Sequence, residues 1–193
     1  MEMTRFEKRI VYSERRSRSV ARGAVRRLES LRPRPGQSYL DFGCGNGAAA
    51  IEVAAELGLD VTGIDVDPEQ IAIAKRAPTF VEVRFEVADG ERLPFDDGRF
   101  DYVAAHRVTH HIPRWRAAFA EMARVLAPGG QLIYTDFLTP RRLAGLGDRL
   151  LGRSLGFPTL AGIETIVEQF RLETVSYTRR PFNLDAVWRK PTS

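Results

Sequence analysis

LDFGCGNGAAA, residues 40 to 50, decides the fold. An apolar run, SYLDF (38 to 42), ends in three glycines at alternate positions, Gly43, Gly45 and Gly47, before an alanine-rich helical pattern runs from Ala48 to Leu57. Glycines here permit positive backbone torsions and an approach that a Cβ would block, and the N–H groups of a helix start attract an anionic ligand. Gly43, Gly45 and Ala48 also satisfy the G-x-G-x-x-A dinucleotide fingerprint. The loop by itself therefore leaves the choice of cofactor open.

Outward from this turn, apolar runs alternate with helical patterns. ERRSRSVARGAVRRLESL (14 to 31) places Val20, Ala24, Leu28 and Leu31 at helical spacing, and RPRPG (32 to 36) stops that helix. Gly58 ends the helix that follows the glycine loop, VTGID (61 to 65) is a strand, and Pro68 opens a further helix with Asp67 as its N-cap. VRFEVAD (83 to 89), FDYVAAH (100 to 106) and QLIYTDF (131 to 137) are strands, and AAFAEMARVL (117 to 126) is a helix. The alternation predicts an α/β fold, Rossmann-like and doubly wound around a mostly parallel seven-stranded sheet. Beyond a helix at 159 to 170, RLETVSYT (171 to 178) and LDAVWRK (184 to 190) read as two alternating strands joined by a short connection, hence a C-terminal antiparallel hairpin. An N-terminal helical arm (1–36) and one compact domain (37–193) account for the chain.

Composition narrows the classes. With 193 residues, 44% of them hydrophobic, the chain can bury a core without disulfides, and its one cysteine, Cys44, excludes a CxxC redox or metal motif. His106, His110 and His111 have no companions at metal-ligand spacing, so no metal is expected. The charged N-terminus lacks the apolar stretch of a signal peptide, and no window reaches a membrane span. A soluble, cytoplasmic protein is the expectation. Residues 1 to 34 carry eleven basic and four acidic side chains, a balance that can bind phosphates. Of the 29 basic residues, however, 26 are arginine, a compositional bias that would decorate any surface, so nucleic acid is a disfavoured partner.

Asp41 separates the cofactor classes. A carboxylate directly before the loop would repel a pyrophosphate but suits a cationic ligand, and an amino acid carrying a sulfonium and an adenosine fits that pattern. With LDFGCGNG, VTGIDVDPEQIAIAK, VADGERLPFDDGRFDYV, RVTHHI and RVLAPGGQLIYTDF in order over residues 38 to 137, the chain resembles the class I S-adenosylmethionine-dependent methyltransferases, in particular the ubiquinone and menaquinone biosynthesis group.

The resemblance implies an enzyme that moves a methyl group from S-adenosyl-L-methionine to a small-molecule acceptor by in-line displacement. It assigns the two ribose hydroxyls to Asp65, whose alternative is a cap on the turn before Pro68. Val66 would pack on the adenine, Asp89 would accept from the adenine amino group, and the Gly90 N–H would point at the ring. Gly43 and Gly45, with Gly47 closing the loop, line the methionine moiety. Asp41 stands near its amino group or holds the loop, and Ala105 or His106 offers it a carbonyl. A sulfonium is already activated, so alignment supplies much of the rate. Structural packing is the favoured reading of the histidines; for an acceptor that must lose a proton the candidate bases are His106, preferred because it replaces a usually small residue, and His110.

Acceptor choice falls to the N-terminal helix and to residues 139 to 158, where Leu143, Leu146 and Leu150 recur beside four arginines as a basic amphipathic lid. Its glycines favour a mobile flap over peripheral membrane contact. A homodimer is an open possibility. Three rival readings stand beside this one. A NAD-dependent oxidoreductase lacks a Tyr/Lys pair at useful spacing, a nucleic-acid methyltransferase lacks its amine-handling and Pro-Cys motifs, and a non-catalytic S-adenosylmethionine-binding module needs neither.

Overall fold

The computed structural model describes residues 14 to 138 and 158 to 192. It divides into two compact units, residues 1–88 and 89–193. Among the described residues no helix is long and apolar enough to cross a membrane.

The first unit holds helix α1 (Glu14–Ser30), strand β1 (Ser38–Phe42), helix α2 (Ala48–Leu57), strand β2 (Asp60–Asp65), helix α3 (Pro68–Arg76) and strand β3 (Val83–Val87). Both β1 and β3 lie parallel to β2, in registers that run from Ser38↔Asp60 to Phe42↔Ile64 and from Val61↔Val83 to Asp65↔Val87. Parallel strands must be covered on both faces, and β1 is accordingly buried at Tyr39, Leu40, Asp41 and Phe42. The buried stripe of α1 is Ala21, Ala24, Val25 and Leu28, one residue round the helix from the expected Val20, Ala24, Leu28 and Leu31. Val20 is exposed and Leu31 half-buried. The i, i+3, i+4, i+7 set packs on α2, itself small and apolar at Ala49, Ala50, Val53 and Ala54. Helix α2 starts at Gly47 and stops at Gly58, both left-handed, and α3 has the predicted N-terminus, with Pro68 in the first turn and the Asp67 carboxylate accepting from the Glu69 N–H.

The second unit holds β4 (Phe100–His106), a single 3₁₀ turn (Thr109–His111), α4 (Trp115–Val125), β5 (Leu126–Phe137), α5 (Leu160–Gln169), β6 (Glu173–Arg180) and β7 (Asn183–Arg189). Strands β4 and β5 are parallel, whereas β7 is antiparallel to both β5 and β6, so the C-terminal hairpin forms as expected. β5 begins five residues earlier than its apolar run suggests. Leu126 already pairs with Phe100, and the register then slips to Tyr102↔Gln131 across Ala127–Gly130. A Cβ on Gly130 would lie 2.8 Å from the Ala127 carbonyl, so this bulge depends on that glycine. The expected alternation of β6 is absent, because all eight of its residues are exposed. Among the described residues it is an outermost strand, exposed on both faces. The apolar centre of the unit is the ring cluster of Phe119, Tyr134 and Trp188, with centroids 5.2 to 6.0 Å apart. Lys190 closes the end of α4 by donating to the carbonyls of Ala123, Arg124 and Leu126 at 2.7 to 3.1 Å.

One glycine couples the loop to the sheet. At φ 78° a Cβ on Gly47 would stand 2.6 Å from the Phe85 ring and 2.8 Å from Ala74. Gly47→Ala is therefore expected to lower the unfolding free energy by about 2 to 4 kcal/mol in urea titrations, through combined overpacking and left-handed strain. A loss within experimental error would show that the ring moves aside.

Candidate functional site

In the first unit the glycine loop is held by β2. The N–H groups of Gly43 and Cys44 both donate to the Ile64 carbonyl, at 2.9 and 2.8 Å, and the Asp65 carboxylate accepts the Gly45 N–H at 2.9 Å. The other Asp65 oxygen accepts the Asp67 N–H at 2.9 Å. Asp65 thus performs the turn-capping role weighed in sequence, and in addition fixes the loop. Each of its oxygens uses one of about two lone-pair directions, which leaves acceptor capacity for a ligand. Gly43, Gly45 and Gly47 have φ of 75°, 54° and 78°, a row of left-handed residues that only glycine adopts at low cost.

Asp41 lies beneath this loop, 4% exposed, and its Oδ2 is buried without a hydrogen-bond partner. Burial, and then the neighbouring Asp65 charge, push its carboxyl up to about 7. Asp65 is also raised, mainly by burial, against the pull of the backbone N–H groups it accepts. The Cys44 thiol is pushed far up by burial and by both carboxylates, so it is no thiolate nucleophile. A buried, unpartnered carboxyl beside a second acidic group is an unfavourable setting for a pyrophosphate and a favourable one for a cation. Val66, next to Asp65, is 70% exposed despite its apolar side chain.

Asp89 and Gly90 follow β3. Asp89 is exposed and its carboxylate accepts the Glu91 N–H at 2.9 Å, so it forms the turn considered in sequence while keeping a second oxygen for other partners.

In the second unit, Ala105 is buried and His106 half-buried at the end of β4. The 3₁₀ turn that follows rests on Asp136, which is 1% exposed. One oxygen of Asp136 accepts the Thr109 N–H at 2.7 Å and its hydroxyl at 2.5 Å. The other accepts the Phe137 N–H at 2.7 Å and meets His110 Nδ1 at 2.5 Å. The Tyr134 hydroxyl extends this set to Thr109 at 2.6 Å. Of the adjacent pair, His110 is half-buried and His111 exposed, with their ring centroids 3.9 Å apart. Sequence reasoning named His110 but missed Asp136, Thr109 and Tyr134. The available signal was an acidic residue inside the otherwise apolar run of β5. The expected lid lies almost wholly outside the described residues.

Residues 40–134 match the methyltransferase domain family. These residues, about half of the chain, are thus a methyltransferase domain. It is 42% identical over 126 residues to the 27-O-demethylrifamycin SV methyltransferase of Amycolatopsis mediterranei, covering 62% of this chain and 46% of that protein. A demethylmenaquinone methyltransferase of Beutenbergia cavernae is 35% identical over 113 residues, covering 58% of this chain and 46% of that one. The chain thus spans about half the length of the curated relatives it matches. A Methanosarcina mazei S-adenosylmethionine-dependent methyltransferase has the same fold, with a TM-score of 0.71 at 20% identity over 86% of this chain and 98% of that one. The expected Rossmann-like, mostly parallel seven-stranded sheet with antiparallel C-terminal strands is observed, and that neighbour shares it.

The Asp41 carboxyl gives the ligand-free protein a distinctive pH response. Its folded value of about 7 lies above the ordinary 3.8, so between those limits the folded state holds a proton that the unfolded chain has released. Stability therefore falls as pH rises through that window and levels off above it. From pH 5 to pH 8 the urea-derived unfolding free energy should drop by about 1 to 3 kcal/mol in the wild type and by clearly less in Asp41→Asn, where the raised Asp65 carboxyl still contributes. Equal slopes in the two proteins would rule Asp41 out as the group responsible.

Proposed function

We propose that this chain binds S-adenosyl-L-methionine in the first unit's glycine loop and methylates a hydroxyl of a small-molecule acceptor. The observation that carries the reading is Asp41, a buried carboxyl with an orphaned oxygen below a glycine loop that offers backbone groups and no cationic side chain. That donor set fits a ligand with a positive amino end, and it disfavours the NAD-dependent alternative. Asp41, Gly43, Gly45 and Gly47 would hold the methionine part, Asp65 the ribose, and Val66, Asp89 and Gly90 the adenine. Ala105 and His106 would supply backbone acceptors. When bound, the cofactor supplies a methyl group already activated by a positive sulfonium.

The chain's own contribution to chemistry is orientation and proton handling. His110 is the candidate base. Its Nδ1 lies 2.5 Å from Asp136 Oδ1, and a hydrogen on that nitrogen would orient the ring and leave Nε2 as the acceptor nitrogen. Nε2 would take the proton of an acceptor hydroxyl as its oxygen becomes nucleophilic. A base of this kind is needed for oxygen acceptors, and the name of the Amycolatopsis relative describes an oxygen-linked methyl site. Acceptor choice is assigned to the N-terminal arm (1–36) and to residues 139 to 158, and the remaining chain (37–193) to the methyltransferase domain. The cytoplasmic location and small-molecule partner expected from the sequence belong to the same reading.

Incubation with methyl-labelled cofactor and a metabolite extract should yield a labelled product bearing one added methyl on oxygen. Label appearing only in nucleic acid, or in no acceptor, would sink the proposal. Asp65→Ala should weaken cofactor binding at least about tenfold by calorimetry, since two charge-assisted hydrogen bonds are lost. His110→Ala should slow turnover about 100-fold while leaving cofactor affinity within about twofold. A large affinity loss with unchanged turnover would instead mark His110 as packing.

A further inference from the structure

Strand β3 reads Val83-Arg84-Phe85-Glu86-Val87. It pairs with β2 along one side, and among the described residues its other edge pairs with nothing. Such an edge presents a row of backbone donors and acceptors to any strand that can match it. The string is also self-complementary about Phe85. If a second copy is laid antiparallel with the two Phe85 residues opposite one another, Arg84 faces Glu86 of the second copy, Glu86 faces its Arg84, and Val83 faces Val87.

We propose that β3 is the pairing edge of a homodimer, in which a second copy of this chain adds its β3 antiparallel about a twofold axis through Phe85. Both charged residues of the strand are exposed, while Phe85 is buried and anchors the strand from its inner face. Arg84 meets Asp60 at 2.6 Å, but with the side chains 49% and 41% exposed that ion pair contributes little, so the guanidinium is available to a second carboxylate. Two cross-strand ion pairs and two valine pairs add to the new backbone ladder. Apolar surface adjoins the edge. Phe80 is wholly exposed in the turn before the strand, Val87 is 53% exposed, and a groove of about 540 Å³ runs beside it, lined by Ala74, Ala77, Val81 and Phe85 together with the charged Lys75 and Glu82 and the strand's own Arg84 and Glu86.

The other terminal strand, β6, is less suited to the role. Its register shifts between Thr174 and Ser176, a bulge that disrupts an edge, whereas β3 keeps one unbroken register against β2. A five-residue ribbon with a small apolar flank buries less than the area of a tight complex, so the expected dimer is concentration-dependent and populated at about 10 to 200 µM.

Sedimentation velocity of the full chain over that range should show conversion from 21.7 kDa toward twice that mass. Arg84→Glu sets the introduced carboxylate against Glu86 of the second copy and should remove the dimer, as should Glu86→Arg, which leaves the Asp60 contact intact. Mixing the two single variants should restore a dimer, now a heterodimer, and the double charge exchange within one chain should restore the homodimer. Both substituted positions are exposed, so folding is not at stake, and circular dichroism will confirm it. A wild type that stays monomeric at about 200 µM, or a dimer indifferent to both single variants, overturns the proposal. So does a failure of the mixed variants to associate.

Discussion

Two consecutive amides converging on one carbonyl set the geometry of the first unit. Gly43 and Cys44 both donate to Ile64, and Asp65, the next residue along, accepts from Gly45. The last turn of β2 thereby dictates the path of a loop some twenty residues earlier in the chain. A loop tethered in this way cannot relax to satisfy Asp41, which remains desolvated beneath it. The raised carboxyl is the cost of holding the loop open, and a cationic ligand would offset it.

The second unit uses the same device with different groups. A buried carboxylate, Asp136, collects three backbone amides, a hydroxyl and an imidazole at the end of its strand, and so holds His110 rather than His111. In both units an acidic residue at or near the end of a parallel strand organises the segment around it. Asp41 stands apart from these two, Asp65 and Asp136, because its Oδ2 is buried without a partner.

Much of this was legible in the sequence, and for local reasons. The alternation of strand and helix, the helix limits at Gly47, Gly58 and Pro68, and the cap at Asp67 depend on neighbouring residues, which one sequence displays. The rotation of α1 by one residue, the early start of β5 and the full exposure of β6 depend on which partner a segment meets, which spacing does not record. For the candidate site, the glycine row and Asp65 follow from the chain order of one turn. Asp136 was missed because its significance lies in a contact with Thr109 and His110, across 26 or 27 residues of intervening chain. Asp65 was read for a ligand, and its grip on Gly45 went unnoticed for the same reason.

The Phe85 ring fills the hollow left by two glycines, since a Cβ on either Gly47 or Gly63 would strike it at under 3 Å. That ring belongs to the outermost strand of its unit. The floor of the ligand loop is thus laid by the periphery of the sheet, one aromatic plate thick. Neither surface can be redesigned in isolation: a change at the rim that tilts the plate would be felt at the loop, and a bulkier loop would push back on the rim.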